Sequence, residues 1–182
     1  MGSYFNGEEQ SLMNILEARD MRVKYQEYLL SKYNNTIVSY KMNIPGPVKY
    51  NSLIKQIFDE GLVLFKQRLS EFSIEPVHEK TLYQNSGPEY FGSFNAEADA
   101  IKILSTSIEE NHPLGRLYDF DVIDFKGEQI SRRVLGLGQR KCLLCDNNAF
   151  ECGRSRSHEI SKLIAKIENM ALEYFKDKGG IK

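Results

Sequence analysis

The sequence predicts an α+β fold in which helices pack on a mixed β-sheet within a single domain, residues 1–182. Two observations predict it. Segments with apolar residues at helical spacing alternate along the chain with short segments whose hydrophobicity has a period of two. The chain also has 182 residues, of which 41% are hydrophobic, and this suffices for one domain with a substantial core.

The first element is an amphipathic helix over 8–33, whose apolar stripe also carries Arg19 and Gln26. Polar side chains seven positions apart on a buried stripe need partners. Arg19 and Gln26 therefore either point into a ligand site or lie at the edge of the stripe and reach water. The apolar members of the stripe are Leu12, Ile15, Leu16, Val23, Leu30 and Tyr33.

A strand and a second helix follow. Residues 36–44 alternate as a strand, which ends at the stiff Pro-Gly-Pro turn 45–47. Lys49 follows on that turn, where a basic side chain could approach a pyrophosphate. Residues 51–70 have the spacing of a helix with a buried apolar face.

The second half contains further strands and helices. We expect a short strand near 81–83, a helix over 95–110, a strand over 115–125 and a final helix over 158–176. Lys126 and Gly127 form a plausible two-residue turn, so 128–134 could return as the partner strand of a hairpin. That register would place Asp121 opposite Arg132.

Two carboxylates lie on one side of the strand 115–125. Asp119 and Asp121 are two positions apart, or roughly 6.5–7 Å along the strand. Such a pair raises one carboxyl pKa unless a cation lies between its members, and Mg²⁺ prefers carboxylate and phosphate oxygens. Because apolar Leu117 and Ile123 share the face, we predict a catalytic Mg²⁺ site; the alternative is a solvated strand face.

Gly92 and Ser93 precede the helix over 95–110 and the strand with the aspartates. This order is similar to the pattern of polymerase-β-like nucleotidyltransferases, although the gap from Ser93 to Asp119 is longer. The alternative is an ordinary turn at the start of a helix.

Three cysteines and one histidine are spaced as Cys142-x2-Cys145-x6-Cys152-x5-His158. Three thiolates and an imidazole form a complete tetrahedral zinc set, and C-x2-C is a usual spacing. The pattern predicts a structural Zn²⁺ that staples the loop 140–158. The alternatives are buried cysteines beside a surface histidine, or a Cys-His nucleophile.

The charges are balanced overall but unevenly distributed. The net charge is −1, which excludes a strongly basic nucleic-acid-binding protein. An acidic stretch over 89–128 precedes a basic stretch over 132–158. The two stretches could bind a cation and a phosphate side by side; the alternative is two oppositely charged surfaces. Arg116 and Arg132 are the first candidates for binding phosphate, because each lies on or beside the aspartate strand.

Neither a membrane span nor a signal peptide is expected. No run of about 18 apolar residues occurs, and the first twenty residues carry acids but no apolar segment. An odd number of cysteines argues against a disulfide framework and for a reducing, cytoplasmic setting.

The chain resembles the apo-citrate lyase phosphoribosyl-dephospho-CoA transferase family, also called holo-citrate lyase synthases. The most specific runs are HPLGRLYDFDV at 112–122, ISR at 130–132, RKCLLC at 140–145 and CGRSRSH at 152–158. The run NIPGPVK at 43–49 and the helix with Arg19, Arg22 and Gln26 are similar as well.

The resemblance implies a nucleotidyl-type transfer. Its donor would be 2'-(5''-triphosphoribosyl)-3'-dephospho-CoA, its acceptor a serine of the citrate lyase acyl carrier subunit, and its leaving group pyrophosphate. We expect Asp119 and Asp121 to hold Mg²⁺, and the proposed substrate-binding residues are Arg116, Arg132, Lys49, Arg19 and Gln26. Two alternatives are a non-catalytic, zinc-stapled module that binds an acidic partner and a nucleotidyltransferase with another acceptor.

Overall fold

The computed structural model describes residues 4–176 and 178–181, which form five helices and a four-stranded sheet. This confirms the predicted α+β class. The strands are β1 (Thr36–Met42), β2 (Pro76–Leu82), β3 (Glu89–Phe94) and β4 (Tyr118–Ile123). The helices are α1 (Leu12–Tyr33), α2 (Ser52–Glu71), α3 (Ala98–Asn111), α4 (Ala149–Ser155) and α5 (Ile160–Lys176).

The sheet has the order β2-β3-β1-β4, and its three strand pairings are antiparallel, so it is not the mixed sheet that we expected. The expectation came from helices lying between successive strands, which usually join parallel neighbours. Here β3 and β4 do run in the same direction, but they flank β1. Helix α3 therefore crosses over β1 and creates no parallel pair.

One face of the sheet carries the main core, which α2, α3 and α5 cover. Alternate residues of β1 and β4 point into it, including Tyr40 and Phe120, whose rings stack with centroids 4.2 Å apart. The predicted buried face of α2 is buried, and Asn51 caps this helix by accepting a hydrogen bond from the Ile54 N–H at 2.8 Å.

Helix α1 covers part of the opposite face with only part of the predicted stripe, of which Leu30 and Tyr33 pack on the sheet. Leu12, Leu16 and Val23 are exposed, whereas Leu29 is fully buried against Ile37 and Phe91. The prediction was wrong for these three exposed residues because this sheet face is half polar. It offers α1 only a small apolar cluster, so polar and aromatic side chains occupy the rest of the buried stripe.

Strand β3 was not predicted. All six of its residues are buried, so it has no polar-apolar alternation by which a sequence pattern could reveal it. Gly92 and Ser93 lie within this strand, not in a turn before a helix. A Cβ at Gly92 would lie 2.5 Å from the Phe94 ring, so close packing explains the glycine.

Residues 124–148 form no further named strand. The expected return strand over 128–134 is limited to an isolated bridge between Ile123 and Gln129, because Gly127 makes a tight turn and the chain then bends away. The short helix α4 follows and carries Cys152. None of the described helices is long and apolar enough to cross a membrane.

Candidate active site

The predicted carboxylate pair lies at one side of the polar sheet face. Asp119 and Asp121 point away from the core on β4, as the alternation indicated. Across the sheet, Lys41 of β1 is in register with Glu89 on one side and Asp119 on the other, and Ser39 is in register with Asp121. A row of charged side chains thus crosses three neighbouring strands.

Lys41 supplies the cation that the pair needs. Its Nζ lies 2.8 Å from Asp119 Oδ2 and also contacts Asp121 Oδ2. Although burial alone would raise the pKa of Asp119, Lys41 and Arg140 lower it. In turn, burial would lower the pKa of Lys41, but the two carboxylates raise it. Lys41 therefore bridges the two carboxylates and favours the ionised form of Asp119.

The remaining carboxylate oxygens are also engaged. Asp119 Oδ1 lies 3.3 Å from Arg140 Nη1, and Asp121 Oδ1 accepts a hydrogen bond of 2.7 Å from Gln129 Nε2. Carboxylate oxygens are the ligands that Mg²⁺ prefers, and the Lys41 ammonium shows that the pair receives a cation between its members. The pair could therefore hold Mg²⁺ only by displacing Lys41, and the Mg²⁺ site stays a prediction.

Arg132 does not face Asp121 as we expected. Strand β4 pairs with β1 instead of with 128–134, so Ser39 lies opposite Asp121. Arg132 instead contacts Glu109 of α3 and lies 2.8 Å from Glu110 Oε1. The acidic and basic stretches of the sequence therefore neutralise one another in part.

Glu109 joins two arginines to the strand that carries the carboxylate pair. Besides contacting Arg132, it lies 3.1 Å from Arg140 Nη2 through Oε1, and it accepts a 2.9 Å hydrogen bond from the Phe120 N–H. Its side chain is only 3% exposed. Glu109 therefore positions both arginines beside Asp119.

Lys102 and Glu109 were missed, although a signal for them exists. They are seven positions apart on the buried stripe of α3, the same pattern that drew attention to Arg19 and Gln26 on α1. Lys102 Nζ donates a 2.7 Å hydrogen bond to the Phe120 carbonyl, and burial lowers its pKa. Applied to α3, the same reasoning would have found both residues.

A basic cleft of about 680 Å³ lies between residues 140–158 and α5. Arg116, Lys141 and Arg156 line it, and burial together with Arg140 and Arg132 lowers the pKa of Arg116. A hollow of about 540 Å³ adjoins the cleft and contains Asp119 and Arg132. The residues shared by the cleft and the hollow are Asn43, Arg140 and Ala149. Arg140 thus connects the carboxylate pair to the cleft.

The other predicted substrate contacts lie apart from this cleft. Lys49 Nζ donates a 2.5 Å hydrogen bond to the Ile44 carbonyl, and Lys49 lines a small hollow together with Lys41. Burial lowers the pKa of Lys49. Arg19 is exposed and Gln26 is half-buried; neither lines the cleft or its adjoining hollow, and their role in binding substrate stays a prediction.

Arg22 is the residue of α1 that contacts the charged row. Its Nε lies 2.5 Å from Glu89 Oε1, and both residues line the small hollow that holds Lys49. Helix α1 therefore presents Arg22 to the charged row, and not Arg19 or Gln26 as predicted. The reason is again that the sheet face under this helix is half polar.

The Cys/His cluster, formed by Cys142, Cys145, Cys152 and His158, brings its four donor atoms within 4.8 Å of one another. Cys145 Sγ lies 3.6 Å from Cys152 Sγ and 3.3 Å from His158 Nε2. Although burial alone would raise the pKa of Cys142, hydrogen bonds from the Leu144 and Cys145 N–H groups help lower it to about 6. The cluster could hold a metal ion such as zinc.

Comparison with known proteins shows the family of the chain. Residues 10–174 match the family model described as apo-citrate lyase phosphoribosyl-dephospho-CoA transferase. A relative from Vibrio cholerae, named a probable member of this enzyme class, is 38% identical over 165 residues, which cover 90% of this chain and 93% of the relative. Transferases of the same name from Citrobacter koseri and Escherichia coli are 34% and 33% identical, each covering 87% of this chain and 86% of the relative.

Proposed function

Because the chain belongs to the apo-citrate lyase phosphoribosyl-dephospho-CoA transferase family, we propose that it transfers phosphoribosyl-dephospho-CoA to apo-citrate lyase. The donor would be 2'-(5''-triphosphoribosyl)-3'-dephospho-CoA and the acceptor a serine of the acyl carrier subunit. The observation that carries the proposal is the carboxylate pair of Asp119 and Asp121, which Arg140 connects to a basic cleft.

The reaction would exchange a phosphoanhydride bond of the donor for a phosphoester bond to the acceptor. The serine oxygen attacks the α-phosphorus of the triphosphate, a new phosphodiester forms, and the bond to the β-phosphate breaks. The serine proton passes to a base, and pyrophosphate leaves. The protein must therefore bind a strongly anionic donor, accept one proton and stabilise the leaving charge.

The basic residues suit the anionic donor. Arg116 and Arg140 line the cleft, and Arg132 lies in the adjoining hollow beside Asp119. Guanidinium groups donate paired hydrogen bonds to phosphate oxygens, and Glu109 holds Arg132 and Arg140 in place. We assign these three arginines to the triphosphate and to the departing pyrophosphate, with Lys49 as a further cation near Lys41.

The two aspartates take different roles in this proposal. Asp119 is tied to two cations, Lys41 and Arg140, and its lowered pKa makes it a poor proton acceptor. Asp121 contacts Lys41 and the neutral amide of Gln129, so we assign it to accept the serine proton. Mg²⁺, which both aspartates would hold, would neutralise phosphate charge when bound.

The test is the intact mass of the apo carrier subunit after incubation with this protein, Mg²⁺ and the donor. We expect the carrier subunit to gain the mass of the prosthetic group. Asp121→Asn should lower the rate of this transfer about 100-fold or more. Asp20→Asn is the matched control, because Asp20 is an exposed carboxylate on α1.

Two results would contradict the proposal. If folded Asp121→Asn transfers at the wild-type rate, the carboxylate pair is not the active site. If the wild-type protein adds no mass from a verified donor, the donor or acceptor is wrong, and the alternative of a non-catalytic binding module regains weight.

A further inference from the structure

We propose that the Cys/His cluster binds one structural Zn²⁺ ion and that this ion holds residues 140–158 in the conformation that forms one wall of the basic cleft. The proposal concerns a site outside the carboxylate pair. It does not depend on the identity of the donor or of the acceptor.

The spacing of the donor atoms agrees with a tetrahedral zinc ion. With Zn–S of about 2.3 Å and Zn–N of about 2.0–2.1 Å, tetrahedral ligands lie about 3.8 Å apart for two sulfurs and about 3.6 Å apart for sulfur and nitrogen. The observed separations from Cys145 Sγ are 3.6 Å to Cys152 Sγ and 3.3 Å to His158 Nε2. No disulfide joins the three cysteines.

The backbone presents the first two ligands on a small hairpin. The Cys142 N–H donates to the Asn147 carbonyl at 2.7 Å, and the Ala149 N–H donates to the Arg140 carbonyl at 2.9 Å. Inside this hairpin, the N–H groups of Leu144 and Cys145 point at the Cys142 sulfur. The hairpin therefore brings both Cys142 and Cys145 to the cluster.

Helix α4 brings the other two ligands to the hairpin. Cys152 lies buried on this helix, and its carbonyl accepts a hydrogen bond of 3.2 Å from the Ser157 N–H, which places His158 next to the cluster. Four protein ligands would fill all four positions of a tetrahedral zinc ion and leave none for substrate. A closed set of this kind is typical of structural zinc, not of catalytic zinc.

Apart from the ion pairs of Arg132 and Arg140 and the packing of Leu143 on the core, the segment around the cluster has little regular structure. Between Ser131 and Asn148 the chain forms neither a helix nor a named strand, and the large apolar side chains of Val134 and Phe150 are 73% and 70% exposed. Little apolar surface is therefore buried here, and a metal cross-link would supply the missing constraint. The segment carries Arg140, Lys141 and Arg156, so the constraint extends to the cleft.

The first experiment measures metal in the full-length protein, purified under reducing conditions and reconstituted with Zn²⁺. We expect about one zinc per chain, which Cys145→Ser and His158→Gln abolish and His78→Gln retains. His78 is the matched control because it lies on β2, outside the cluster. In the wild-type chain, Co²⁺ substitution should produce thiolate-to-cobalt charge-transfer absorption, a readout that requires no variant to fold.

The second experiment tests the coupling to the cleft by amide hydrogen exchange with and without a strong zinc chelator. We expect exchange to rise at least about tenfold over 140–158, while β1 and β4 stay protected. A protein that takes up no zinc, or that keeps it after Cys145→Ser, would overturn the site. Release of zinc without faster exchange in this segment would overturn the link to the cleft.

Discussion

Replacing Glu109 by glutamine tests whether the buried carboxylate organises the site. The substitution keeps the shape of the side chain and an oxygen that can accept the hydrogen bond from the Phe120 N–H. It removes the negative charge shared by Arg132 and Arg140, whose side chains are 16% and 20% exposed. Two arginines are then left facing a neutral amide inside a poorly solvated region.

The expected loss of stability follows from the contacts that survive. Removing one partner of a buried ion pair typically costs about 3–5 kcal/mol. Arg132 keeps Glu110 at 2.8 Å and Arg140 keeps Asp119 at 3.3 Å, and both arginines are partly hydrated. We therefore expect Glu109→Gln to lower the free energy of unfolding by about 2–3 kcal/mol, which is less than a fully buried pair would lose. For a chain of this size, such a loss lowers the melting temperature by about 5–10 °C.

Urea unfolding followed by circular dichroism measures the free energy, and Glu110→Gln is the matched control. Glu110 contacts the same arginine but is 47% exposed, so its loss should cost only about 0–1 kcal/mol. Glu109→Gln should also slow transfer to the carrier subunit, because Arg132 and Arg140 lose their common anchor. Equal effects of the two variants would refute the role given to Glu109.

Three further predictions concern cation binding, pH and packing. Lys41→Met removes the ammonium that competes with Mg²⁺ for the carboxylate pair. The Mg²⁺ concentration that gives half-maximal thermal stabilisation should therefore fall about fivefold, and an unchanged titration contradicts this. Burial lowers the pKa of His112 below its usual 6.5, so urea midpoints should fall as the pH drops below 6.5, and His112→Asn should flatten this decline. Gly92→Ala should destabilise the protein by about 1–3 kcal/mol against the Phe94 ring without changing activity per folded molecule.

The features that the sequence predicted correctly rest on local periodicity. The alternation along β4 placed Asp119 and Asp121 on one face and the core residues on the other. The helical spacing of α2 identified its buried face, and the cysteine spacing identified side chains that do converge. In each case neighbouring residues share one element, so the backbone geometry of that element is sufficient.

The features that were missed depend on which elements become neighbours. The helical spacing of α3 marks Glu109 as a buried polar residue, but nothing in the local sequence relates it or Lys41 to Asp119. The predicted hairpin placed Arg132 opposite Asp121. In the structure β4 pairs with β1 at this position, so Arg132 lies elsewhere. Arg22 of α1 points toward the sheet because the sheet face under this helix is half polar and offers Glu89 as a partner.

The sequence by itself thus determined the fold class, the carboxylate pair on one strand face, the Cys/His cluster and the family resemblance, all of which depend on residue type and short-range spacing. Only the tertiary structure decided which charges meet. Side chains distant in sequence, such as Lys41 and Asp121, came together because antiparallel pairing of β1 with β4 sets their register. The energy of a buried charge depends on its partners in space, so the site's electrostatics emerge only when the sheet is assembled.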